Sequence, residues 1–109
     1  MPLTQENKKR LRAIGHALRP VVTVAGKGLS ESVCAELDRA LSDHELIKLR
    51  IAVADRSARA RIAREICERL DAELVQEIGK VLLVYRHNPR ANPRLSNLHR
   101  SGSAPVARR

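Results

Sequence analysis

Residues 20–32, PVVTVAGKGLSES, decide how this chain folds. The valines at the start form a β-branched run that predicts a strand, and Ser30 is a residue type that commonly begins a helix. The four residues between them, which we call the Gly loop, are Ala25, Gly26, Lys27 and Gly28. Such a loop can point backbone N–H groups outward beside a positive helix end, an arrangement that favours phosphate. It can equally be a plain strand-to-helix connection with nothing bound. The choice between these two interpretations depends on the rest of the sequence.

The hydrophobic pattern on both sides of the Gly loop alternates between helices and strands. Helices are predicted over 5–17, 31–45 and 56–70, and strands over 21–24, 46–54, 73–78 and 81–86. Strands that alternate with helices require crossovers and some parallel pairing, whereas Gly79-Lys80 predicts an antiparallel hairpin between the last two strands. We therefore predict an α/β fold over residues 1–86, with the element order α-β-α-β-α-β-β and a mixed four-stranded sheet packed with three helices.

The sequence changes character at His87. From there to Arg109 the hydrophobic periodicity disappears, and Pro, Ser, Asn, Gly and Arg predominate. Residues 87–109 are therefore predicted to form a basic, disordered tail. Its arginines, which have no acidic neighbours in this segment, suit adaptable phosphate contacts that add affinity without specificity.

Positive charge is concentrated towards the two ends of the sequence, and the net charge is +9. Residues 1–27 contain six Lys and Arg against one acid, residues 28–77 eight against eleven, and residues 78–109 seven against none. This segregation is typical of a protein that binds a polyanion, although net charge can also serve solubility alone. The predicted binding residues are the Gly loop and six cations, namely Lys8, Lys9, Arg12, Arg19, Lys48 and Arg50.

No arrangement of residues in the sequence favours catalysis or metal binding. The four histidines lie in separate segments without ligand spacing, and the Gly loop lacks the spacing of a nucleotide-binding P-loop. Cys34 and Cys67 occupy apolar helical positions, which favours a place in the core over a disulfide or a metal site. Tyr85, the one aromatic residue, lies among apolar strand residues and provides no platform for base stacking. We therefore expect no enzymatic activity, no cofactor, no metal and no small-molecule substrate.

No segment of the sequence indicates export or membrane insertion. The N-terminal residues MPLTQENKKR carry positive charge but no apolar segment of a signal peptide follows them, and no apolar run is long enough to cross a membrane. We expect a cytoplasmic protein that acts as a monomer and has no membrane partner.

Four motifs, in this order and at this spacing, resemble the YhbY-like or CRM (chloroplast RNA splicing and ribosome maturation) domain. They are LRAIGHALRPVV at 11–22, the Gly loop with Leu29 and Ser30, HELIKLRI at 44–51 and IGKVLLVYR at 78–86. The resemblance covers residues 3–86 and excludes the tail. It implies a fold similar to the C-terminal domain of translation initiation factor 3, and a stand-alone RNA-binding domain associated with precursors of the large ribosomal subunit.

The Gly loop departs from the family pattern at its first residue. The loop of the family is compared with the GxxG loop of KH domains, which clamps an RNA backbone by close approach of its main chain. In this chain Ala25 stands where that pattern has its first glycine. Either Gly26 takes over the flexible role, or this loop is stiffer than that of the family.

The sequence thus predicts a non-enzymatic RNA-binding protein. The resemblance implies that the partner is ribosomal RNA or a precursor of the large subunit, and we expect it to be held by backbone and phosphate contacts from the Gly loop and the basic surface. The alternative is a general nucleic-acid or nucleoid protein that binds duplex DNA by charge alone.

Overall fold

The computed structural model of this protein describes residues 3–25 and 28–100. Its elements are α1 (Gln5–Gly15), β1 (Pro20–Val24), α2 (Glu31–His44), β2 (Leu46–Ile51), α3 (Arg56–Leu70), β3 (Glu73–Ile78), β4 (Val81–Tyr85) and α4 (Asn97–Arg100). The predicted order of three helices and four strands is confirmed, and the short helix α4 is an addition to it.

Each of the three long helices begins at a residue whose side chain accepts a backbone hydrogen bond. Thr4, Ser30 and Asp55 accept from the N–H group three positions later in the chain, at 3.1, 3.2 and 2.9 Å. A cap of this kind stabilises a helix by about 1 kcal/mol, because it satisfies one of the unpaired N–H groups of the first turn. These residue types therefore set the starts of α1, α2 and α3.

The four strands form one sheet, which is mixed as predicted and has the strand order β1-β2-β4-β3. β1 and β2 are parallel, and the other two pairs are antiparallel. The Gly loop, the β2–α3 connection and the β3–β4 hairpin therefore leave the same edge of the sheet, which we call the loop end. Ala52 N donates to Val24 O at 2.8 Å and Ile51 N donates to Lys80 O at 2.7 Å, which ties these connections together.

The helices α2 and α3 pack on one face of the sheet and form the main core. Apolar side chains alternate along β1 and β2, so each strand turns a row of them towards these helices. The buried residues of this cluster are Val22, Val24, Leu37, Leu41, Ile47, Leu49, Ile51, Ala63, Ile66, Leu70, Leu82 and Val84.

The other face of the sheet, which we call the second face, is covered by α1 over only part of its area. Leu11 and Ile14 of α1 pack in a smaller buried cluster that includes Leu83 of β4. Gly15 lies so close to the sheet that a Cβ atom there would be 2.5 Å from a methyl carbon of Leu83. Because α1 ends here, the strand positions nearer the loop end are left uncovered, and Arg50 is exposed.

Residues 88–98 belong to the folded unit. Ser96 is fully buried and its Oγ donates to Glu45 Oε1 at 2.9 Å, while Asn88 N donates to Glu45 Oε2 at 2.8 Å. Asn97 Nδ2 donates to a carbonyl oxygen at the start of β2 at 2.6 Å. The prediction of a disordered tail from residue 87 is therefore wrong for this segment. Hydrogen bonds to a buried carboxylate and a strand carbonyl hold this segment. Attachment of this kind does not require apolar residues at regular spacing, so the sequence shows no hydrophobic periodicity here.

Candidate nucleic-acid interface

The described residues of the Gly loop are Ala25, which follows β1 at the loop end, and Gly28, which lies shortly before α2. Gly28 has a φ of 87°, and its N–H donates to Ala25 O at 3.0 Å, which closes a turn across the loop. A Cβ atom on Gly28 would meet nothing within 4 Å, so glycine is favoured here by its backbone conformation and not by lack of space. The predicted site residues Gly26 and Lys27 lie outside the described residues.

Two predicted cations, Lys48 and Arg50, are on the second face of the sheet, as the alternation along β2 indicates. Arg50 lies between Thr23 of β1 and Val81 of β4, and its side chain is exposed near the strand end that leads into the Gly loop. Lys48 is half-buried, and its Nζ donates to Leu18 O at 3.1 Å. Lys48 therefore holds the connection between α1 and β1 as well as contributing positive charge to this face.

The predicted cations of α1 extend the positive surface away from the Gly loop. Lys9 is exposed, whereas Lys8 and Arg12 are half-buried. The first turn of α1 lies near the other end of the sheet, because Asn7 lines a cleft together with Tyr85. An 11-residue helix is about 16 Å long, so these cations are distributed along the second face and not gathered at the loop.

Arg19 lies between the two groups of cations. It is exposed, and it lines a small cleft with Val21, Lys48 and Asn97. The structure thus places Arg19 and Lys48 together beside β1, with Arg50 two residues farther along β2. Lys8 and Lys9 are the predicted site residues that lie farthest along α1 from this group.

The salt bridges of the described chain involve other residues than the six predicted cations. Arg69 pairs with Glu31 and Glu65 at 3.8 Å, and Arg86 pairs with Asp38 at 2.8 Å. The positive charge on the second face is therefore not neutralised by direct contact with carboxylates within residues 3–25 and 28–100. Uncompensated charge of this kind produces a positive potential that attracts polyanions.

Arg86, the last residue of the fourth family-like motif, has a structural role. Besides its ion pair, its guanidinium donates to Leu70 O at 3.0 Å, to Asp38 O at 2.9 Å and to Ser42 Oγ at 2.9 Å. These contacts join the end of α3 and the middle of α2 to the sheet. Both terminal nitrogens of Arg86 thus have partners, and its charge is paired with Asp38.

Two features of the described residues concern chemistry, namely the metal-ligating side chains and the Cys67 thiol. No group of three His, Cys, Asp or Glu side chains in this part of the chain is placed to hold a metal ion. Burial raises the pKa of the Cys67 thiol, with smaller contributions from the charges of Glu73 and Glu68. A raised pKa disfavours the thiolate, which is the nucleophilic form of cysteine. None of the described helices is long and apolar enough to span a bilayer.

Sequence reasoning did not single out the uncovered part of the second face. Ile78 and Val81, which flank the hairpin, lie on this face together with His16 at the end of α1. Their proximity depends on strand register and on irregular pairing in β1 and β3, between Pro20 and Val22 and between Leu74 and Gln76. No local pattern in the sequence indicates this strand register.

The chain is similar to known proteins over nearly its whole described length. A probable RNA-binding protein of Pseudomonas aeruginosa is 54% identical over 100 residues, covering 92% of this chain and 96% of the relative. An RNA-binding protein of Haemophilus influenzae is 41% identical over 93 residues, covering 85% of this chain and 94% of the relative.

Similarity extends to a solved structure and to a family of domains. The solution structure of a hypothetical protein from Staphylococcus aureus superposes with a TM-score of 0.74 at 27% identity, covering 84% of this chain and 95% of that one. The sequence profile of the CRS1 / YhbY (CRM) domain matches residues 3–86. This chain therefore belongs to the CRS1/YhbY (CRM) domain family.

Proposed function

We propose that this protein binds RNA through the second face of its sheet and the Gly loop. The observation that carries the proposal is the set of six cations on α1, after it and on β2, none of which pairs with a carboxylate in the described part of the chain. Family membership and the RNA-binding relatives point to RNA as the polyanion.

Phosphate contacts would supply most of the affinity. Each contact between a cation and a phosphate releases condensed counterions, which favours binding at low salt. The Gly loop would add main-chain contacts, because the absence of a side chain on Gly28 lets a phosphate approach the backbone closely. Tyr85 is the one aromatic residue, so stacking of bases on aromatic side chains is not among the proposed contacts.

The proposed target is ribosomal RNA within precursors of the large subunit, bound in the cytoplasm by a monomer that performs no chemistry on the RNA. The experiment is sedimentation of the tagged protein with ribosomal particles from growing cells, followed by crosslink mapping on the RNA. We expect crosslinks in large-subunit RNA of precursor particles. An equal distribution over mature subunits and messenger RNA would contradict the ribosomal assignment.

Binding to duplex DNA by charge alone is the competing explanation. It is tested by competition, in which a labelled fragment of ribosomal RNA is displaced by unlabelled RNA or by duplex DNA of equal length at physiological salt. We expect RNA to compete at least tenfold more effectively, a difference of about 1.4 kcal/mol. Equal competition would favour the general nucleic-acid protein.

A further inference from the structure

A cleft on the second face remains open between the end of α1 and the loop end of the sheet. Its volume is about 280 Å³, and residues of all four strands and of the segment after α1 line it. Those that matter here are His16, Pro20, Lys48, Gln76, Ile78 and Val81.

Strand register explains why this part of the sheet is apolar and uncovered. Thr23, Arg50, Val81 and Ile78 lie side by side across the four strands, at the row nearest the loop end. α1 ends at the preceding row, so no helix reaches them. The side chain of Ile78 is 65% exposed, the highest fraction among the exposed large hydrophobic residues of the described chain.

The cleft combines an apolar floor with positive charge. Ile78 and Val81 supply the floor, Lys48 is part of the lining, and Arg50 lies in the same row as the two apolar residues. None of the residues that line the cleft is acidic. A nucleotide has the complementary composition, because its base presents an apolar face and its phosphate is negative.

Only an unpaired nucleotide can use the apolar floor. In a duplex each base face is stacked on its neighbours, so a protein can contact only the base edges and the backbone. An unpaired base can leave the stack and lay its face on an apolar surface, which removes both surfaces from water. The floor therefore favours single-stranded segments, loops and bulges over paired RNA.

The position of the cleft favours RNA over an acidic protein partner. Thr23, at one side of the loop-end row, precedes Ala25 by two residues, so the row continues directly into the Gly loop. A strand of RNA whose phosphates follow Arg50 and the loop would carry its bases across the cleft. An acidic peptide has no corresponding reason to lie along both features.

We propose that this cleft holds the base of an unpaired RNA nucleotide, with Ile78 and Val81 against the base and Arg50 and Lys48 towards the flanking phosphates. The inference rests on the proposed RNA-binding function and gives it a substrate class, namely RNA with unpaired nucleotides. It also assigns a binding role to Ile78 and Val81, which carry no charge.

The test compares Ile78→Thr with Leu74→Thr. Leu74 is on the same strand, is 36% exposed and faces the other side of the sheet, so it is a matched control. Threonine is β-branched and suits a strand, so both variants are expected to fold, which circular dichroism verifies. The probes are a fluorescein-labelled 12-nucleotide RNA and the same RNA annealed to its complement, titrated at one salt concentration.

We expect Ile78→Thr to weaken binding of the single strand by about fivefold, as loss of roughly 1 kcal/mol of apolar contact requires, and to change duplex binding less than twofold. Leu74→Thr should leave both unchanged. A 4-thiouridine in the single strand should photocrosslink to peptides of β3 or β4.

Three results would overturn the inference. The first is an equal loss of single-strand and duplex binding in Ile78→Thr, and the second is binding equal to that of Leu74→Thr. The third is a change in oligomeric mass caused by Ile78→Thr, which would assign the apolar floor to a second copy of the chain. A parent protein that binds neither probe would instead contradict the proposed function itself.

Discussion

Gly15 and Gly28 are required for different physical reasons. Gly28 has a positive φ in open space, which is a property of the turn that follows a strand. The position of Gly28 after a valine-rich run made that requirement visible in the sequence. Gly15 is in a helix, where glycine is unfavourable. Glycine is required there because the backbone closely approaches the side chain of Leu83, some seventy residues later in the chain. Nothing local in the sequence reports such an approach.

Gly15→Ala tests the close packing of α1 on the sheet. Alanine favours the helix by about 1 kcal/mol, but the new methyl group must displace a buried leucine, which costs roughly 1–3 kcal/mol. We expect a net loss of about 1 kcal/mol in the free energy of unfolding, measured in urea. Shortening the neighbour with Leu83→Val should reduce the penalty of Gly15→Ala in the double variant. A gain in stability from Gly15→Ala alone would contradict the close contact.

Among the elements, the helices and strands up to β4 were predicted from the sequence, whereas the ordered segment after β4 was not. The helices and strands up to Tyr85 could be predicted from periodic apolar residues and capping side chains, and α3 begins and ends at the predicted residues. Residues 88–98 carry no such pattern, because their attachment depends on Glu45. This carboxylate is 3% exposed and its backbone has a φ of 63° and a ψ of −46°, which is an unusual conformation for glutamate.

Truncation separates the attached segment from the residues beyond it. A chain that ends at His87 lacks the Ser96 and Asn88 bonds to the buried Glu45 carboxylate and the packing of Leu98 against the second-face cluster. We expect it to lose about 3 kcal/mol of stability relative to a chain that ends at Arg100. Chemical denaturation of the two chains, each compared with the full protein, measures this. Equal unfolding midpoints would show that the segment contributes nothing to the fold.

At the scale of the whole molecule, charge is divided between the two faces of the sheet. The helices α2 and α3 carry acids and arginines together, some of them in ion pairs such as Arg69 with Glu65. The second face carries the predicted cations without such pairs in the described chain. The sequence showed that charge was segregated along the chain, but only the strand register shows that Lys48 and Arg50 share a face with the open cleft.

The salt dependence of RNA binding tests this division of charge. Replacing one phosphate-contacting cation should reduce the slope of log affinity against log salt by about 0.7 for single-stranded RNA. We expect this reduction for Arg50→Gln, measured by fluorescence anisotropy over a series of salt concentrations. Arg61→Gln is the control, because Arg61 is an exposed residue of α3 on the opposite side of the sheet. The same slope for both variants would contradict a role for the second face.

The most direct test of phosphate contact at the loop end is RNA binding by Gly28→Asp and Gly28→Asn. Both side chains bring a Cβ atom and similar strain at positive φ, of about 1 kcal/mol, so the two variants differ chiefly in negative charge. Binding to a labelled fragment of ribosomal RNA is measured at fixed salt, after the fold of each variant has been verified. We predict that Gly28→Asp weakens binding at least tenfold more than Gly28→Asn, because the carboxylate repels phosphate at the Gly loop. A folded Gly28→Asp protein that binds this RNA as tightly as the parent would contradict the account.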